Sequence, residues 1–260
     1  IDNTGTGANS VALESLAAGD NWIIDNIRVD SQAKGINLLG ENIQVKNCDI
    51  TAQLNGLTVT GHTASFLDCS VRTTGDATSL IGINILSTTP PGPSGTTYVG
   101  ANLIQGCTTF AGKISAGNST YTDIINCSAY NNTGNYGIEH IGSGSIRNSI
   151  GICEGTNTNY GKGIYTVGAY NMLIENCSAQ GMKSGIRADG NVQMYNCYGK
   201  GHVGEAGIYI TDGDGLRLNN VTGVSEPSPS QQGGIFITLS GSNGLNVLQD
   251  VKGINYQTDT

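Results

Sequence analysis

A two-part phrase recurs along the whole chain and constrains its fold more than any other feature. The opening half is Gly followed by an aliphatic residue, at Gly35-Ile36, Gly56-Leu57, Gly82-Ile83, Gly137-Ile138, Gly163-Ile164, Gly185-Ile186, Gly207-Ile208 and Gly234-Ile235. The closing half alternates apolar residues and ends in Asn-Cys, as in Val45-Lys46-Asn47-Cys48, Ile124-Ile125-Asn126-Cys127, Ile174-Glu175-Asn176-Cys177 and Met194-Tyr195-Asn196-Cys197. Looser copies close at Cys69, Cys107 and Val221. One supersecondary unit per copy means a stacked solenoid, in which each turn is stabilised by its neighbours.

The period selects the kind of solenoid. Cys48 to Cys69 is 21 residues, and Cys107 to Cys127 and Cys177 to Cys197 are 20 each. Helical repeats need roughly 33–47 residues, so this period is too short for them. Leucine-rich repeats share it, but their leucine ladder and helical half are missing. The segments are short, β-branched and alternating, and are bounded by Gly, Asn, Ser and Thr, which reads as strands. Three short parallel strands per turn fit best. The expectation is an all-β, right-handed, single-stranded parallel β-helix of about ten rungs, with rungs about 4.8 Å apart and a rod about 45–50 Å long. The coil is expected over residues 22–256. Residues 1–21 form a lead-in that includes a short capping helix over 11–16, and 257–260 form a tail. Gly253-Ile254 restarts the pattern just before the tail. An open rung exposes unpaired strand edge, so the chain is expected to continue in a longer protein or to be covered there by a partner.

This rung pattern, with Asn at the tight bend before the third strand, resembles the pectate-lyase-like superfamily of parallel β-helices, to which bacteriophage tailspikes belong in architecture. The resemblance spans nearly the whole chain. It implies an extracellular or virion-associated location, a homotrimer or larger assembly, and a cell-surface glycan as partner. It does not fix an activity, because one fold hosts many.

Composition agrees with a stacked ladder. Only 12% of residues are charged, which avoids like charges one strand apart. The net charge of −8 and pI near 4.7 argue against nucleic acid as a partner. No apolar run reaches the roughly 18–20 residues of a membrane span. No cofactor is expected.

Six of the seven cysteines share one column with Ile27, Val221 and Val251, a pattern that means small, apolar and buried. A ladder of free thiols is expected, since the odd count gives no complete disulfide framework and no Cys/His spacing suggests zinc. Cys153 lies off the column and is the thiol expected at the surface. The column of Asn26, Asn47, Asn126, Asn148, Asn176 and Asn196 suits a left-handed bend that Asn tolerates. His140 follows an outward position and is read as a core residue. The glycosylation-like matches at Asn118 and Asn131 arise easily in so Asn-rich a chain and receive no function. An insert at 88–95 reads as an extended excursion.

Function is sought in the outward residue after each Gly-Ile. That column runs Asn37, Thr58, Asn84, then Glu139, Tyr165, Arg187, Tyr209 and Phe236, so it turns aromatic and charged in the later rungs. Asp189 and Thr211 lie one outward position on, with Asp212 and Asp214 in the next turn. Tyr165 and Tyr209 are expected two rungs apart, about 10 Å, on the scale of two sugar units. Aromatic rings beside carboxylates and an Arg suit a glycan, so Tyr165, Arg187, Tyr209 and Phe236 are the candidate substrate-binding residues. Loops at 131–136, 154–162 and 198–206 flank this face. The same residues would equally fill an exposed β-ladder or an intersubunit contact. Glycoside hydrolysis needs two carboxyls about 5–9.5 Å apart, and Glu139, Asp189 and Asp212 are the candidate catalytic groups. No metal ligands are assigned. The paired-Asp and Gly-His-Gly motifs of polygalacturonases, the acidic calcium cluster of pectate lyases and the Asp-Pro-His pattern of alginate epimerases are all missing. Two readings stand: a spike that binds a polysaccharide and, if enzymatic, depolymerises it as a glycoside hydrolase or lyase, or a purely structural fibre, decoration or baseplate component.

Overall fold

A computed structural model describes residues 1–5, 7, 10–15, 21–75, 80–86, 101–117, 121–155, 161–203, 205–213, 215–226, 233–239 and 244–256. They form a parallel β-solenoid of 26 strands, every pairing parallel, and no helix occurs among them. Separate strands amount to about eight turns of three, against about ten expected. The difference arises because four late strands run on through corners: Lys162–Glu175, Ser184–Gly201, Arg217–Ser225 and Val247–Asn255. Consequently the column of first-strand positions is still ten residues deep, from Glu14 to Phe236.

Alternation builds the core as expected. The aliphatic residue of each opening phrase points inward, and Ile36, Leu57, Ile83, Ile114, Ile138, Ile164, Ile186 and Ile208 form one fully buried stack. A second stack comes from the closing phrases, with Val45, Phe66, Ile104, Ile124, Ile146, Ile174, Met194 and Leu218. The third stack shrinks along the rod. It begins with Val29, Ile50 and Val71 and ends with Gly151, Ala179, Gly199 and Gly223. With so little side chain there, the backbones of the first and third strands touch. A Cβ built on Gly163 would lie 2.6 Å from the Gly151 carbonyl oxygen and 2.7 Å from the Gln180 nitrogen. This contact is why the phrase opens with Gly in the later rungs.

The Asn column occupies the left-handed region throughout, with φ of 49–54° at Asn26, Asn47, Asn126, Asn148, Asn176 and Asn196. Asp68, Asn220 and Asp250 adopt the same conformation in looser copies. Asn176, Asn196 and Asn220 each donate to the carboxamide below them at 3.0 Å, so the corner carries a hydrogen-bonded amide ladder.

Two expectations are corrected. Residues Val11–Glu14 form a strand, not a helix, pairing Leu13 with Ile36 and Glu14 with Asn37. Leu13 packs against the core beside Ala12, and its register with Ile36 extends the inward column by one turn. Cys153 is fully buried, because its place at the end of the strand Ile150–Cys153 puts it between Asn131 and Gly181 of the neighbouring turns. The other six cysteines form the expected buried ladder of free thiols, in which Ser149 fills the rung between Cys127 and Cys177. The insert at 88–95, Asn118, Asp214, the tail at 257–260 and most of the loop at 154–162 lie outside the described residues. Among the described residues no helix is long and apolar enough to cross a membrane.

Candidate functional site

The outward first-strand column is continuous. Parallel register places Ser115, Glu139, Tyr165, Arg187, Tyr209 and Phe236 on six successive rungs. Tyr165 and Tyr209 are two rungs apart, with Arg187 between them. Strand spacing of about 4.8 Å is close to the contact distance of stacked rings, so in-register aromatics stack along the rod axis. Tyr209 stacks on its register partner Phe236 with centroids 4.9 Å apart, and Tyr136, whose register partner is Lys162, reaches diagonally to stack on Tyr165 at 4.8 Å. The Arg187 guanidinium carbon fills the break, 5.9 Å from the Tyr165 centroid and 5.0 Å from that of Tyr209. Lys162 Nζ lies 5.4 and 5.2 Å from the Tyr136 and Tyr165 centroids. The result is one ladder of rings and cations whose faces meet each other and whose edges form the half-exposed rim.

Two carboxylates hold this ladder. Asp189 accepts from Tyr165 Oη at 3.0 Å, from Arg187 Nε at 3.1 Å and from the Thr211 hydroxyl. Glu139, only 9% exposed, pairs with the Lys113 ammonium and accepts from Ser115 Oγ at 3.0 Å. Glu205 does similar work on the adjoining loop, bonded to Ser184 Oγ at 2.9 Å and Lys183 Nζ at 3.1 Å. Burial and the neighbouring Asp189 charge push the Tyr165 hydroxyl well above its ordinary pKa. Burial, with help from the nearby Arg187 charge, pulls Lys162 down to about 8.

The sequence-predicted residues therefore divide. Tyr165, Arg187, Tyr209, Phe236 and Asp189 form one contacting constellation, and Glu139 joins through its register with Tyr165. Asp212 stands apart: it is exposed, with φ of 56°, at the bend after Thr211. Glu139 and Asp189 are separated by two rungs and by two positions across the strands, which puts their Cα atoms about 12 Å apart by standard strand dimensions. Sequence reading missed Lys113, Tyr136 and Lys162, which sit just before the inward aliphatic residue or its glycine and complete the ladder. Aligning the residue before each Gly-Ile would have found Tyr136 and Lys162.

His140, one position beyond Glu139, is fully buried as expected. Its Nε2 lies 2.9 Å from the Thr122 carbonyl oxygen, and burial lowers its pKa and keeps it neutral. Among the described residues no cluster of three or more His, Cys, Asp or Glu is placed to hold a metal ion.

Comparison with protein-family models, curated proteins and solved structures finds no match for this chain.

Proposed function

We propose that the chain is an extracellular or virion-associated β-helix spike, akin to pectate-lyase-like β-helices and tailspikes, that binds a cell-surface polysaccharide without cutting it. The observation that carries this reading is the unbroken ladder Tyr136, Tyr165, Arg187, Tyr209 and Phe236 on one face of a rigid rod. Its rim repeats at the rung spacing of about 4.8 Å, so an extended glycan can lie along it and meet a ring edge, a hydroxyl or a guanidinium at each step. Rigid groups of this kind lose little conformational entropy on binding.

Binding is favoured over cleavage because the buried Glu139 and the half-buried Asp189 are both committed to the ladder. Asp189 already has three donors, and Glu139 is paired to Lys113. Neither carboxylate is left free of partners to act as the acid of a hydrolase. The test is binding of immobilised bacterial capsular and lipopolysaccharide chains to wild type and to a Tyr209→Ala, Phe236→Ala double variant. At least a tenfold loss of affinity is expected in the double variant; undiminished binding would remove the ladder as the site.

A purely structural role in a fibre or baseplate is the second reading. It is favoured by the ring faces being stacked on one another, which leaves no free face between Tyr209 and Phe236 for a sugar. Such a protein would assemble in a concentration-dependent way and bind none of the polysaccharides.

A further inference from the structure

The corner of the solenoid beside the Asn ladder carries a second surface that the first-strand ladder does not involve. The outward residue after each Cys forms a column of its own, with Ser70, Thr108, Ser128 and Thr222 at typical rungs. Arg28, Asp49 and Lys252 are charged members towards the ends, and two members are large and apolar. Ile150 is 46% exposed and Tyr198 is 41% exposed, and Ser178 occupies the single rung between them. Folding does not call for two large apolar side chains on a solvent-facing column, and the small residue between them opens a slot. Ile150 and Tyr198 are about 10 Å apart along the rod, and two van der Waals contacts to an intervening ring need about 7–8 Å. The slot therefore admits one saccharide ring, with about 2 Å to spare.

Its side wall is polar. Asn148, Asn176 and Asn196 line the same open depression, of about 500 Å³. Each bond of the amide ladder uses one N–H and one oxygen lone pair. A carboxamide has two of each, so every rung keeps a donor and an acceptor for a ligand. The lining includes no charged side chain. An apolar floor and roof with paired amide donors and acceptors matches a neutral pyranose, whose C–H faces pack on Tyr198 and Ile150 while its hydroxyls meet the Asn wall.

We propose that the slot over Ser178, between Ile150 and Tyr198, is a binding site for a neutral hexose or N-acetylhexosamine unit. This inference rests on the polysaccharide-binding reading but places contact on a different face, so the two can fail separately. The experiment is saturation-transfer NMR with methyl β-glucopyranoside and N-acetylglucosamine at millimolar concentration, together with side-chain amide shifts of Asn148, Asn176 and Asn196. Wild type should show transfer to at least one sugar and shifts at those three amides. Ser178→Tyr fills the slot with a residue the next rung already accommodates, so it should fold and abolish both signals. Tyr198→Ser should weaken binding about fivefold, the scale of one lost ring contact. The Tyr209→Ala, Phe236→Ala double variant should leave both signals unchanged. No transfer in wild type, or transfer that survives Ser178→Tyr, overturns the slot. Polymer binding that is lost with the ladder, in a wild type that shows no sugar transfer, overturns the slot and leaves the ladder reading intact. Sugar signals in a protein that binds no polymer support the slot and overturn the ladder reading.

Discussion

Replacing Gly163 by Ala places a methyl group where the first and third strands touch. The new Cβ would meet the Gly151 carbonyl oxygen at 2.6 Å and the Gln180 nitrogen and oxygen at 2.7 Å each. Ordinary contact begins near 3.5 Å, so each clash is about 0.8–0.9 Å too close. All three atoms are backbone, held in the strands Ile150–Cys153 and Ser178–Gly181, and no side chain can rotate away. Overpacking of this kind costs about 1–3 kcal/mol, and rigid backbone on both sides puts this case near the top of that range. The lower chain entropy of Ala in the unfolded state offsets about 0.4–1 kcal/mol. A net loss of about 2 kcal/mol follows. Because turns of a solenoid touch only their neighbours, the loss should be local. Hydrogen exchange should show roughly thirtyfold faster exchange at Ile138, Ile164 and Ile186, with Ile36 and Leu57 unchanged. The control is Gly117→Ala, whose Cβ would find its nearest atoms at 3.6 and 3.8 Å. That variant should be neutral or slightly more stable. Equal stability of wild type and Gly163→Ala, or equal loss in both variants, would refute the close-approach explanation of the Gly-Ile phrase.

Three further outcomes are expected. Asp189→Ala removes the acceptor shared by Tyr165, Arg187 and Thr211 and should cost about 2 kcal/mol in urea unfolding, after allowance for partial exposure; a double-mutant cycle with Arg187→Ala should show coupling of at least about 0.5 kcal/mol. Lys162 has its folded pKa lowered to about 8 by burial, below the 10.5 of an exposed lysine. The unfolded chain thus binds more protons between those values, so stability should rise with pH from about 8 to 10.5 and fall as pH drops through 8. Melting temperature against pH should flatten over that window in Lys162→Met. The buried thiols should be inert to an aromatic disulfide reagent until the protein unfolds, since burial pushes Cys177 up to about 12 and Cys197 up to about 11. Rapid labelling of any ladder cysteine in the native protein would contradict the packing described.

The fold was legible because its determinants are periodic. Inward Ile, bend Asn and buried Cys each recur at one place per turn, so a single aligned column predicts many contacts at once. The strand Val11–Glu14 is not legible in the sequence because four residues are too few to separate a period of two from one of 3.6 without the partner strand. Leaving the Cys column does not take Cys153 out of the core, because the third strand has its own inward positions. The candidate site was legible only in part. Tyr165, Arg187, Tyr209 and Phe236 follow from the alternation, and their register held. Their face-to-face stacking, which turns the rings edge-on to solvent, depends on the rung spacing meeting side-chain rotamers. Tyr136 and Lys162 are marked by their place before Gly-Ile, whereas Lys113 precedes Ile114 with no glycine between and carries no such mark, and the slot over Ser178 emerges only when three rungs are placed side by side.

Size-exclusion chromatography with light scattering tests the central claim most directly: purified bacterial surface polysaccharides are run before and after incubation with the protein. Co-elution of protein with at least one polymer, and no change in that polymer's mass, is the result predicted for a binding spike whose carboxylates are tied into its ladder. A fall in polymer mass would contradict the assignment of Glu139 and Asp189 as structural anchors, and absence of co-elution across the whole panel would contradict polysaccharide binding itself.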